Sequence, residues 1–131
     1  MTLKKKELGA KGENIAVSYL KSRGYRILER NYRIRLGEID IIAEQGGHLV
    51  FIEVKTRSDN LFGSPFESVT VPKQRQLSKV ALQYICKMGC YNRPARFDVV
   101  AVQLNKANST KLQDTRIELM QNAFDLCYGN E

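Results

Sequence analysis

LGEIDIIAEQGGHLVFIEVKTR, residues 36–57, reads as two strands folded back on one another. Residues 37–44 alternate acidic or polar with apolar side chains, which is the period of a strand. Residues 48–56 are rich in Val, Ile and Phe. Between them stands Gly46-Gly47, a two-residue hairpin signal because both positions accept positive φ. With those two glycines as the loop, the register follows: Gln45 opposes His48, Ile42 opposes Phe51, Asp40 opposes Glu53 and Glu38 opposes Lys55. Opposed side chains share a face, with Cβ atoms roughly 4.5–5.5 Å apart. One face therefore carries Glu38, Asp40, Glu53 and Lys55. The other carries Ile39, Ile41, Val50, Ile52 and Val54, ordinary core. A slip of one residue would undo the pairing of Asp40 with Glu53.

Two carboxylates set opposite each other repel unless something compensates. A divalent cation does so: magnesium takes hard oxygen ligands, often one or two carboxylates, and keeps water or substrate phosphate in its other positions. A lysine beside it stabilises developing negative charge or helps activate water. The same spacing also suits a cross-strand Glu38–Lys55 ion pair with Asp40 solvated at a strand end. Both readings stand at this level.

The rest of the chain frames that hairpin. Its 131 residues suit one domain, 1–131, with a real core, and 43% hydrophobic with 27% charged residues is a globular balance. No run of about 18 apolar residues offers a membrane span. The basic start, residues 1–6, is not followed by an apolar signal core, so the expected location is the cytoplasm. A formal net charge of +7 favours a polyanionic partner, nucleic acid before a membrane surface. Against that basic background the acids gather on one hairpin face. Cys86, Cys90 and Cys127 are an odd count and lack further zinc ligands, so they read as free thiols. His48 is the one histidine, which argues against a His-dependent triad.

Before the hairpin, residues 8–23 have helical spacing, with Leu8, Gly12, Ile15, Ala16, Tyr19 and Leu20 on one side. Glycines on that side suggest close approach to a sheet. Glu13 lies at the edge of the stripe, placed either to lean toward the hairpin or to face solvent. Residues 25–33 alternate as a strand. Arg33 and Arg35 adjoin the carboxylates and suit a phosphate backbone, or simply a solvated turn. After the hairpin comes a long polar connection, 57–70, with Phe62 and Phe66 as its expected tethers. A second helix spans 72–88, capped by Thr70 or Val71, with Pro72 in its first turn and Gly89 closing it. Its stripe is Leu77, Val80, Ala81, Tyr84, Ile85 and Met88. Lys73 continues that stripe at the helix start, where it would overhang the sheet end and meet a phosphate. Residues 95–103 read as a buried strand, parallel to its neighbour after the helical crossover. Asp98 on it suits either the active site or a structural cap. A polar loop, 105–114, leads to an expected edge strand at 116–121 and a short final helix through Leu126 capped by Asn122.

The order is helix, three strands, helix, strand, a mixed sheet between helices. Asp40 followed by Glu53-Val54-Lys55 resembles the signature of the PD-(D/E)xK nuclease superfamily, whose fold is restriction-endonuclease-like. Ile39-Asp40 takes the place of the nominal Pro-Asp. GAKGENIAVSYL, the RNYR segment, GEIDIIA, VFIEVKTR, FGSPFESV, the Lys73 helix and RFDVVAV together resemble the YraN-like family of small bacterial proteins. That resemblance implies Asp40 and Glu53 as metal ligands, Lys55 as the catalytic lysine, and Glu13 as a further carboxylate from the first helix. It also implies Mg²⁺ or Mn²⁺ as the cofactor. Glu38 lies outside the minimal signature.

The leading expectation is a metal-dependent nuclease that hydrolyses phosphodiesters in nucleic acid, DNA favoured over RNA and branched or structured DNA among the candidates. Arg33, Arg35, Arg57 and Lys73 would bind flanking phosphates. By analogy, a small nuclease acting on two strands is often a homodimer. The alternative is a non-catalytic nucleic-acid-binding module on the same fold, which leaves the acidic face without a task. An interaction protein docking a basic partner on that face is the third reading.

Overall fold

The computed structural model describes residues 5–58, 66, 69–104 and 115–126. The elements run α1 (Lys5–Ser22), β1 (Arg26–Ile34), β2 (Gly37–Gln45), β3 (His48–Ser58), α2 (Val71–Met88), β4 (Ala95–Leu104) and β5 (Thr115–Phe124). The strands form one five-stranded sheet in the order β1-β2-β3-β4-β5. Only β3 and β4 pair in parallel, as the helical crossover through α2 requires; the other three pairings are antiparallel. The order helix, three-strand meander, helix, strand is the one expected from the sequence, with β5 added at one edge of the mixed sheet.

The β2–β3 hairpin has the register set by its loop, Gln45 opposite His48 through to Ile41 opposite Ile52. Gly46 and Gly47 hold φ of 57° and 82°, a loop that side-chain-bearing residues form at a cost. The two faces bury separate cores. Leu77, Val80, Ala81, Tyr84 and Ile85 of α2 close over Ile42, Leu49, Phe51 and Phe97. Ala16, Val17 and Leu20 of α1 close over Ile41, Val50, Ile52 and Val100. α1 approaches β3 so closely that a Cβ on Gly12 would stand 1.9 Å from Thr56 Oγ1. The first helix is thereby locked beside the C-terminal half of β3.

Two expectations change. Ile39, expected beside Ile41, joins the α2-side core, so the two-residue alternation of β2 breaks between them, at Asp40. The final helix is absent: residues 122–124 continue β5, and Asn122 takes φ of 52° there instead of capping a helix. Its N–H donates to Asp98 Oδ1 at 2.9 Å, where the β4–β5 register shifts. Phe66 does pack against the α2-side core, whereas Phe62, the 105–114 loop and Cys127 lie outside the described residues. Cys86 and Cys90 are free thiols.

Candidate active site

The site forms where β2 parts from β3. The hairpin register would set Asp40 opposite Glu53, but the ladder pairs end at Ile41 and Ile52. Beyond them the Asp40 side chain acts as the acceptor, taking the Val54 N–H on Oδ2 at 2.8 Å. A carboxylate thus replaces a backbone carbonyl in the sheet, which explains the broken alternation of β2 at this residue. Asp40 and Glu53 remain within hydrogen-bonding reach of each other. Burial, then the neighbouring Glu53 charge, pushes the Asp40 carboxyl up to about 8; the Val54 N–H opposes the rise, and the Glu13 charge adds to it.

Glu53 is itself buried, at 7% exposure. Its Oε2 lies 3.5 Å from Lys55 Nζ and 3.7 Å from Lys73 Nζ. Lys55 sits two residues along the same strand, so it shares the Glu53 face. Lys73 comes from the first turn of α2, which Thr70 caps by accepting the Lys73 N–H at 3.4 Å. The expected pair of Glu38 with Lys55 is replaced. Glu38 bonds Arg33, its partner on β1, at 2.6 Å, because the β1–β2 ladder sets those two directly opposite.

Glu13 leans inward, its side chain 12% exposed. Its Oε1 accepts from Asn31 Nδ2 at 3.0 Å and from Arg30 Nη2 at 3.2 Å. Asn31, with φ of 53°, turns its amide toward α1. Glu13, Asn31, Glu38, Asp40, Lys55 and Thr56 line one open cleft of about 330 Å³. Among the described residues no group of three or more metal-ligating side chains is assembled within direct ligation distance, so Glu13 stands apart from the Asp40–Glu53 pair. Glu13 is held by Arg30 and Asn31 and acts on Asp40 through its charge. The donor set that does fit a hard divalent cation is the carboxylate pair itself: two like-charged, poorly hydrated oxygen ligands at the edge of a cleft open to water.

The predicted phosphate-binding cations divide into three settings. Arg35 is exposed in the β1–β2 turn. Arg33 is tied to Glu38 but its side chain is 78% exposed. Arg57 is half-buried on β3, on the Glu53–Lys55 side by strand period. Lys73 lies inside the site, on Glu53, and not at its margin. Arg30 and Asn31 are the site residues that sequence reasoning missed. The RNYR segment held the signal, since Asn is a side-chain-bearing residue that tolerates positive φ.

Asp98 serves elsewhere. It is fully buried, and accepts from Tyr25 Oη at 2.7 Å, Arg96 Nε at 3.0 Å and the Asn122 N–H. It ties the start of β1 to β4 and β5 as a structural hub.

The model of the family described as "Uncharacterised protein family UPF0102" matches residues 12–102, a span that runs from Gly12 to β4 and takes in Glu13, Asp40, Glu53, Lys55 and Lys73. The chain belongs to UPF0102. This is the YraN-like family of the sequence resemblance. A UPF0102 protein of Geobacter metallireducens is 47% identical over 128 residues, covering 98% of this chain and 100% of that protein. One from Geotalea uraniireducens is 50% identical over 123 residues, covering 94% and 93%. One from Clostridium botulinum is 48% identical over 122 residues, covering 92% and 96%. Among solved structures, a repair endonuclease from Pyrococcus abyssi overlaps at a TM-score of 0.38 with 20% identity. That overlap takes in 77% of this chain but 41% of the other, and at such a score it decides nothing about activity. Among the described residues no helix is long and apolar enough to cross a membrane.

Proposed function

We propose that this UPF0102 protein is a Mg²⁺- or Mn²⁺-dependent nuclease, hydrolysing phosphodiester bonds in nucleic acid, with DNA its favoured substrate. One observation carries the reading: Asp40, on the wall of an open cleft, lies within hydrogen-bonding reach of the buried Glu53, whose carboxylate is 3.5 Å from the cleft-lining Lys55. Folding alone gives no reason to place two carboxylates so, since the Glu53 charge raises the cost of ionising Asp40. A cation held by Asp40 and Glu53 would polarise the scissile phosphate and lower the pKa of an attacking water. Lys55, beside Glu53, is placed to orient that water or to stabilise charge growing on the phosphate oxygens. Glu13, anchored by Arg30 and Asn31, would act on the cation's water and not as a direct ligand. Arg33, Arg35 and Arg57 would bind flanking phosphates.

The test is cleavage of labelled DNA by the purified protein with Mn²⁺ or Mg²⁺. The wild type should cut and Glu53→Gln should not; undiminished cutting by Glu53→Gln would place the chemistry elsewhere. A second reading, a non-catalytic nucleic-acid-binding module, is favoured by one fact. Glu53 has Lys55 and Lys73 as counter-ions, and Glu13 has Arg30. Calorimetric titration separates the two: the nuclease reading expects Mn²⁺ binding that Asp40→Asn abolishes, whereas the module expects binding to nucleic acid indifferent to metal.

A further inference from the structure

Glu53 Oε2 is shared by two ammonium groups from different elements, Lys55 of β3 and Lys73 of α2. Asp40, next to it, has no cationic partner within ion-pair distance among the described residues; it has the Val54 N–H and Glu53. The positive charge of the site is thus lodged on one carboxylate of the pair. Lys55 follows from its strand, but Lys73 has to be brought in. The start of α2 is fastened for that purpose at three points. Thr70 Oγ1 accepts the Lys73 N–H, Gln74 Nε2 donates to Val69 O at 3.0 Å, and Gln76 Nε2 donates to Leu36 O at 3.0 Å. The last bond ties the helix directly to the β1–β2 turn that leads into Asp40.

We infer that Lys73 is a resident counter-cation of Glu53, competing with the divalent cation for that carboxylate and passing to the substrate phosphate when the cation is in place. This rests on the nuclease reading above. The argument is electrostatic. A cation seated on Asp40 and Glu53 would share Glu53 with Lys73, and like charges a few ångströms apart repel. Of the two lysines, Lys73 is the one able to leave: its side chain is 36% exposed against 26% for Lys55, and its flexible four-carbon stem starts from a helix across the site. Once off Glu53, its ammonium requires another anion, and a phosphodiester at the cleft is that anion. Lys73 then lowers affinity for the metal and raises affinity for metal-loaded substrate binding, so the metal and the nucleic acid bind cooperatively through it.

The experiment measures Mn²⁺ affinity by calorimetry in the wild type, Lys73→Met, Lys73→Gln and Asp40→Asn. It also measures DNA affinity with and without Ca²⁺ as a non-cleaving cation. Removing one charge near the site should tighten Mn²⁺ binding by about fivefold or more in both Lys73 variants. It should also abolish most of the gain in DNA affinity that the cation confers on the wild type. Equal or weaker Mn²⁺ binding by both Lys73 variants, with wild-type binding intact and lost in Asp40→Asn, overturns the inference alone. No Mn²⁺ binding by the wild type, or undiminished binding by Asp40→Asn, overturns the nuclease reading and the inference together. Using two Lys73 variants guards against one that fails to fold.

Discussion

Replacing Asp40 by Asn should make the metal-free protein more stable at alkaline pH, although it removes a residue central to the site. The Asp40 carboxyl is raised from 3.8 to about 8, by burial first and by Glu53 second. Between those values the folded chain holds a proton that the unfolded chain has released. Wild-type stability therefore falls as pH rises through this window and levels off above the folded value. At about 1.36 kcal/mol per pKa unit the ceiling is roughly 5–6 kcal/mol. Relaxation of the site and entry of water as Asp40 ionises trim that ceiling, so the expected difference is about 2–4 kcal/mol. Asn keeps an oxygen for the Val54 N–H but carries no charge, so the variant should lack this slope. Urea unfolding in chelator from pH 5 to 9 reads the effect directly. The variant should gain on the wild type from pH 5 up to about 8 and hold a constant lead above that. Saturating Mn²⁺ should offset most of that lead, adding about 2.7 kcal/mol to the wild type at a hundred times Kd and nothing to the variant. Parallel stability profiles in chelator would refute the picture of two poorly hydrated carboxylates forced together.

Gly12→Ala should cost about 1–3 kcal/mol, because its Cβ would collide with Thr56; the double variant with Thr56→Gly should recover part of the loss in a thermal unfolding cycle. Asp98→Ala should destabilise by about 3–5 kcal/mol, since it strips a buried partner from Arg96, Tyr25 and the Asn122 N–H. It should leave Mn²⁺ affinity unchanged, as measured by calorimetry on the folded fraction. Arg35→Ala should weaken DNA binding uniformly across sequences and reduce the salt slope by about one, as read by a fluorescence titration over several salt concentrations.

The hairpin was legible because its signal is local and exact in count: two glycines that accept positive φ leave one register for the residues beside them. The stripe on α2 was legible for the same kind of reason, since helical spacing alone sorts Leu77, Val80, Ala81 and Tyr84 to one side. The departure at Asp40 was not. It depends on a side chain replacing a backbone acceptor for Val54, which no periodicity records. The hairpin alone sets Glu38 opposite Lys55, but β2 has two neighbours and Arg33 on β1 stands directly opposite Glu38. Asn122 shows a related limit. Asn favours both helix caps and isolated positive φ, and here the buried Asp98 carboxylate selects the second. The stripe of α2 puts Lys73 at the sheet end, but its contact with Glu53 arises from how α2 is fastened over the sheet.

The central claim is tested most directly by cleavage of labelled branched, duplex and single-stranded DNA, and of RNA, with Mg²⁺ or Mn²⁺. The comparison is between the wild type and the Asp40→Asn/Glu53→Gln double variant. The account predicts cleavage by the wild type, strongest on DNA, and its loss in the double variant. No cleavage by either protein, with tight salt-dependent nucleic-acid binding retained by both, would contradict it.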